Sequence, residues 1–470
     1  MTKSYENLFD WLIQAFSDND AGYFYALERK GRQKYLRHTK HCKQMLSKVQ
    51  SLDEAIDVYR YWLKFFREQH IGVQLHNKPA NGTIQPKQNP IDDWPEVKCS
   101  EAQLRARLNS LSDPGFEGIW HSKPYTIGLI KQGDEYHGFI IDAGDTPWRQ
   151  QQLKLKISPA KKGGRFRAIC FLRDYSPMEV EVVKLLGNQV LELENFRYIR
   201  QYPYTSVQDD ICEYYTMLEA RQAFIKPINK DSTLIYLPSF NPCLQKEIEE
   251  LIESNAELLS KSRNLIIDVR NNGGGSTTCF EKLLPYLYTN PCSYVTWKFR
   301  SSAANIRKLR QWGAFEPEND SLEARKAAKS ALQKAKDSIG DLITLFPADV
   351  FEVTLPEVLP YPQQVAVIMN GRCASATEAF LLQARQSRKT KLYGQRTIGC
   401  FDISNMNQIV SPCKRIELHC AMTINNDLEQ TSIDGIGIMP DFLIPGSIPE
   451  YKWLHYVQSI IEAKEGSLLQ

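Results

Sequence analysis

Apolar positions change their spacing along this 470-residue chain, and the changes mark its segments. Over residues 5–16 and 52–66 they recur three and four apart, the period of a helix with one buried face. Asn19-Asp20-Ala21-Gly22 interrupts the first pattern as a turn. Residues 1–76 therefore read as an N-terminal helical region. The stretch 77–93, NKPANGTIQPKQNPIDD, is rich in Pro, Asn and Gly and reads as a linker. With a short helix near 100–111 it fills residues 77–112. Across 113–200 the period falls to two, with turn signals at Lys123-Pro124 and Gln132-Gly133-Asp134, which predicts a small antiparallel β domain. From 201 to 450 short β-branched runs alternate with helical patterns, the mark of an α/β core. Inside it an alanine-rich, charge-laced stretch near 319–342 reads as a solvated helix, either a plain insertion or a mobile lid. Residues 451–470 read as a C-terminal helix.

Two breaks in the α/β pattern carry candidate chemistry. The run LIIDV at 265–269 ends in Arg270-Asn271-Asn272 and three glycines, Gly273 to Gly275. Consecutive glycines after a strand leave backbone N–H groups uncovered by side chains. The run VAVIM at 365–369 breaks at Asn370-Gly371 and delivers Ser375 among small residues at a helix start. Free N–H groups and the helix dipole favour negative charge there. A nucleophilic serine beside uncovered N–H groups is the arrangement acyl transfer needs. The plainer reading of Ser375 is a helix N-cap among small residues. Asp268 inside LIIDV needs a partner, because a lone buried charge is costly, and Arg270 two residues on shares its face of the strand.

These residues resemble the carboxyl-terminal processing (tail-specific) serine peptidases and the related tricorn core protease. The DxRxNxGG signature is Asp268, Arg270, Asn272, Gly273 and Gly274, and the serine signature is Cys373-Ala374-Ser375-Ala376-Thr377-Glu378. Asp434-Gly435-Ile436-Gly437-Ile438-Met439-Pro440-Asp441 is similar to the family's D/E-x-x-G-[IV]-x-P-D segment. Phe66-Arg67-Glu68-Gln69-His70-Ile71-Gly72 resembles, more weakly, a helical segment ending in a DGHT- or TSH-like sequence. The resemblance is good from about 233 to 446 and patchy before that. It implies a ClpP/crotonase-like stack of ββα units. Many relatives carry a PDZ domain near the β-rich region, but no Gly-Leu-Gly-Phe-like loop is seen here, so no clear PDZ domain is expected.

The resemblance also names candidates for the base. Where the Lys-using branch places its lysine, this chain has Cys400, and a neutral thiol is a poor substitute. The tricorn-like branch uses a histidine from the N-terminal region oriented by an acid near the C-terminus. Here these are His70 and Asp434, with Gln69 at the place of that branch's hydroxyl residue. A neutral imidazole can accept the serine proton, and a carboxylate on its far nitrogen would fix the tautomer. His70 also reads as a helix C-terminal cap, and Asp434 as the first residue of an Asp-Gly turn. The implied oxyanion donors are the N–H of Ala376 and that of Gly273 or Gly274. Glu378 and Asn272 are possible supports, Glu378 as a first-turn carboxylate and Asn272 as scaffold of the glycine loop.

Composition narrows the function classes. Net charge of +3 gives no reason to invoke nucleic acid or a membrane surface. No run approaches about 18 apolar residues, so no membrane-spanning helix is expected. No signal peptide is visible, and eleven cysteines without CxxC spacing fit a reducing, cytoplasm-like compartment. No cluster has metal spacing, so neither metal nor organic cofactor is implied. The expected function is a serine endopeptidase acting on an extended polypeptide; the sequence leaves the oligomeric state open. The rival is a catalytically silent member that binds peptide or protein; a crotonase-type acyl-CoA enzyme is disfavoured, because it needs no serine signature.

Overall fold

The computed structural model describes residues 2–76, 93–160, 165–193, 196–204, 209–219, 222–316, 321–345 and 351–463. The linker expected at 77–93 lies almost wholly outside them. The chain divides into two units, residues 1–78 with 218–470, and residues 79–217.

The larger unit is an α/β assembly. Its main sheet, among the described residues, runs in the order Phe224–Pro227, Ser232–Tyr236, Asn264–Asp268, Gln364–Met369, Thr390–Gly394, Phe442–Leu443. The first strand is antiparallel to its neighbour and the others are parallel. Strands buried on both faces need apolar residues at every position, not alternate ones. Leu265–Ile267 and Val365–Met369 meet this, and the first strand then ends in the buried Asp268. They are direct neighbours, with Asp268 opposite Ile368. Parallel neighbours end on the same side, so the glycine loop and the serine turn leave the sheet together.

A second sheet joins Gly72–Leu75, Ile416–Asn425, Trp297–Arg300 and Leu342–Ile343, with Ile403–Val410 paired on Ile416–Asn425. The N-terminal helices Thr2–Asn19, Arg32–Leu46 and Leu52–Leu63 pack on it through Phe9, Phe16, Trp62, Ile416 and Leu418. The insertion forms a helix, Leu322–Asp337, that is neither solvated all round nor free. Ala328, Ala331 and Ala335 are buried, two of them against Phe299, Ile306 and Met422. Alanines at helical spacing make a smooth stripe on which a neighbour packs closely, a face easily mistaken for plain helix propensity.

In the smaller unit a capping box at Ser100 and Gln103 starts the helix Glu101–Asn109. Eight antiparallel strands follow: Gly118–Ser122, Tyr125–Gln132, Glu135–Asp142, Leu153–Pro159, Phe166–Phe171, Pro177–Leu186, Val190–Leu193 and Phe196–Tyr202. Each pairs with the next, and the last pairs with the first, so the sheet closes into a barrel. Trp120, Ile127, Leu129, Leu155, Ile157 and Val180 fill its core.

Candidate active site

Asp268 and Arg270 anchor the glycine loop. Both are buried, and Arg270 Nη2 donates to Asp268 Oδ2 at 2.6 Å while Nε reaches both carboxylate oxygens at 3.0 Å. The pair expected from the strand spacing is formed. Asn272, also buried, donates from Nδ2 to the Leu237 carbonyl at 3.1 Å and accepts the Gly274 N–H at 2.9 Å. Asn271 and Asn370 exchange hydrogen bonds at 3.0 and 3.1 Å and so tie the glycine loop to the turn before the serine.

The serine turn presses on that loop. Ser375 has φ 58 and ψ −122, a left-handed backbone that a non-glycine residue adopts at a cost. Gly274, at φ +96, packs against it: a Cβ there would lie 2.6 Å from the Ala374 carbonyl oxygen and 2.8 Å from the Ala376 nitrogen. A glycine is therefore required at 274. Its N–H, however, is taken by Asn272, which leaves the Gly273 N–H as the loop's donor. Among the described residues neither the Gly273 nor the Ala376 N–H has a hydrogen-bond partner. Ala376 directly follows the half-exposed Ser375, and Gly273 precedes the glycine that packs on it.

Glu378 holds the elbow from below. It is wholly buried and accepts N–H groups from Ser375 at 3.1 Å, Gly399 at 2.8 Å and Cys400 at 2.8 Å, and the Thr397 hydroxyl. Burial pushes its carboxyl above the ordinary range, and these four donors oppose that. Its part is structural. The Ser375 N–H also donates to the Cys400 carbonyl at 3.0 Å. Burial, with Asp434 and Glu378 near, pushes the Cys400 thiol to about 12, so it stays protonated and inert at neutral pH. The segment expected to resemble D/E-x-x-G-[IV]-x-P-D clamps the same turn. The Ile438 N–H donates to Thr397 Oγ1 at 2.7 Å, and Gly437 at φ +77 has no room for a Cβ beside the Thr397 carbonyl.

His70 arrives from the N-terminal helices. It also has a positive φ, of 52. Arg67 sets its loop, donating to the Gln69 carbonyl at 3.0 Å and the His70 carbonyl at 2.7 Å. Arg67 is itself fixed by two bonds to buried Asp20, at 2.8 and 2.6 Å. The sequence reading missed this pair; an aspartate closing a buried helix and an arginine three residues before the histidine were its traces. His70 Nδ1 lies 2.7 Å from the Ile403 carbonyl and 3.4 Å from Ser404 Oγ. Burial, aided by Arg67, lowers its pKa.

Asp434 makes no hydrogen bond to His70 among the described residues. Its Oδ1 accepts the N–H groups of Phe401 at 2.6 Å and Asp402 at 2.8 Å, while Asp402 accepts the Asp434 N–H in return at 2.8 Å. An Asp-Gly turn with unpaired backbone donors opposite it captures the carboxylate before a histidine can. Burial pushes Asp434 up to about 6. Gln69 is exposed, and its carbonyl accepts from Arg67 Nε. Gln69, Gly399, Asp402 and Asp434 line a cavity of about 500 Å³. No hydrogen bond joins Ser375 to His70 among the described residues. Their carbonyl contacts, Cys400 and Ile403, are three residues apart, hence within about 10 Å.

A second cavity, of about 510 Å³, adjoins the serine helix. Ala379, whose N–H bonds the Ser375 carbonyl at 3.0 Å, lines it with Phe280, Val295, Trp297, Leu382 and Phe401. Among the described residues no cluster is suited to hold a metal ion, and no helix is long and apolar enough to cross a membrane.

A strained serine at the end of a parallel strand, pressed by a glycine loop with an open N–H, marks the class of serine hydrolases. Residues 231–444, a little under half of the chain, match Peptidase family S41, a family of serine peptidases. By sequence no curated protein matches the chain. By structure the chain is similar to mature CPAF, at 13% identity and a TM-score of 0.51, over 100% of this chain and 98% of that one. An alanine-for-serine mutant of CPAF gives 12% and 0.52 over the same shares. CPAF complexed with lactacystin gives 13% and 0.50, over 98% and 97%. At such identity the likeness is one of fold.

Proposed function

We propose that the chain is a serine endopeptidase in which Ser375 attacks the peptide carbonyl and His70 takes its proton. The observation that carries this is the Ser375 elbow pressed by Gly274, with N–H groups on the adjoining Gly273 and Ala376 that have no partner among the described residues. Those two donors receive the oxyanion as the tetrahedral intermediate forms. His70 donates Nδ1–H to the Ile403 carbonyl, which leaves Nε2 as the base. A backbone carbonyl thus replaces the orienting acid, and Asp434 acts one step away, by holding the turn at 401–402 on which Ile403 depends. The cavity beside the serine helix, with Phe280, Val295, Trp297, Leu382 and Phe401 in a wall that also carries Glu281 and Asp427, favours a large side chain next to the scissile bond. The substrate is an extended polypeptide that pairs as an added strand. We read the main sheet as a ClpP/crotonase-like core and the barrel as standing where many relatives carry a PDZ domain.

Cleavage of an unfolded protein such as reduced casein tests the reading. The wild-type chain should release new N-termini, and Ser375→Ala should not. The second reading, a silent peptide binder, is favoured by the protonated thiol at Cys400 where a lysine would act. It predicts casein binding without cleavage by both proteins.

A further inference from the structure

The mouth of the barrel holds a lysine that the peptidase chemistry does not use. Lys154, on the strand Leu153–Pro159, is 5% exposed. Its ammonium lies 4.1 Å from the ring centres of both Tyr125 and Trp148, and its hydrogen bond is a long one, to the Leu172 carbonyl at 3.3 Å. No carboxylate is within ion-pair reach of it among the described residues. Buried ammonium groups are nearly always paired, so the missing anion needs an explanation. Asp174 is near enough to act on Lys154 through its charge, but it makes no ion pair with it, and its Oδ1 accepts the Ser176 N–H and hydroxyl at 3.2 and 2.6 Å.

Lys154 opens on a cavity of about 300 Å³. Lys123 and Arg173 also line it, and no acid does among the described residues. The rest of the wall is mostly apolar: Tyr125, Phe171, Phe196 and Tyr198. Phe196 is 40% exposed, an aromatic left at the rim. Eight-stranded barrels are wide enough to take one small ligand, and this volume sits at the lower end of ligand sites.

We propose that the barrel mouth binds a small monocarboxylate with an apolar body, its carboxylate held by Lys154 and its body by Tyr125, Phe171 and Phe196. The positive rim attracts the anion, and the aromatic wall removes the apolar body from water. Burial has pulled Lys154 down to about 7, and a bound carboxylate would hold the ammonium in its charged form. The size of the cavity favours a free small acid over the end of a chain.

Octanoate is the probe, titrated into the full chain with tryptophan fluorescence as the readout, since Trp148 touches the ammonium. A saturable change is expected. Octanol, of equal length but uncharged, should bind about tenfold or more weaker, as should octanoate to Lys154→Met, while Lys154→Arg keeps affinity; a charged hydrogen bond supports that size of effect. Should Lys154→Met fail to fold, the double variant Lys123→Gln/Arg173→Gln should weaken octanoate severalfold at low salt. The proposal is overturned by no saturable change, by equal binding of octanol, or by a folded Lys154→Met or double variant that binds like wild type. Tighter binding of acetyl-Ala-Ala-Leu with a free carboxylate would also overturn it, in favour of peptide tails.

Discussion

Ser375, His70 and Asp434 differ in what their surroundings ask of them. Ser375 stays in a left-handed conformation because Glu378 and the Cys400 carbonyl both hold its N–H. His70 is the base in this account, and burial lowers its pKa. A neutral imidazole is the active form, so it survives to lower pH than an ordinary histidine allows. The acid limb of kcat/KM against pH should therefore fall with a midpoint below about 6.5, and a midpoint above that would contradict the assignment. Asp434 gives a sharper division. With its carboxylate on two backbone N–H groups, Asp434→Asn keeps an acceptor oxygen and should retain kcat within about tenfold. Asp434→Ala leaves two buried donors unmet, at about 1–3 kcal/mol each, and should lose far more. A loss of about 10⁴ for Asp434→Asn would instead mean that it orients the histidine. The pKa of about 6 also has a sign. A carboxyl raised above its unfolded value stabilises the fold at low pH and loses that contribution as pH rises through about 6. Urea melts should show wild type losing stability relative to Asp434→Asn over that range.

At the scale of elements, two parallel neighbours end together, and their loops become one site. Gly274 and Gly273 separate the packing of that site from its chemistry. Gly274→Ala puts a Cβ 2.6 Å from the Ala374 carbonyl at a positive φ, and should cost about 1–3 kcal/mol with loss of activity. Gly273→Ala meets nothing within 4 Å and leaves the N–H in place, so thermal melts should place it within about 0.5 kcal/mol of wild type. Equal destabilisation by both would contradict the geometry. These loops were legible in the sequence because they rest on local backbone demands: a glycine run after a strand, small residues before a helix, an i to i+2 ion pair at Asp268 and Arg270. What was not legible is which donor a side chain finds first. Asp434 finds Phe401 and Asp402 through a contact between distant segments, and Asn272 turns back on Gly274 within its own loop. The same holds for Asp20 and Arg67, 47 residues apart, and for the alanine stripe of Leu322–Asp337.

For the whole molecule, alternating apolar residues announce strands but do not say that the first strand pairs with the last; closure of the barrel depends on tilt and register. The barrel has its own core around Trp120 and Leu129, apart from the cores of the peptidase unit. Residues 79–217 expressed alone should give a β-rich circular dichroism spectrum and a cooperative melt; a random-coil spectrum would contradict their standing as a unit. Catalysis nevertheless rests on one residue in the larger unit, Ser375. Its most direct test is labelling of the full chain with a fluorophosphonate, followed by peptide mapping. One adduct is expected, on Ser375, formed far more slowly in His70→Ala and absent from Ser375→Ala. No adduct on Ser375 in the folded wild-type protein, or an equal rate in His70→Ala, would contradict it.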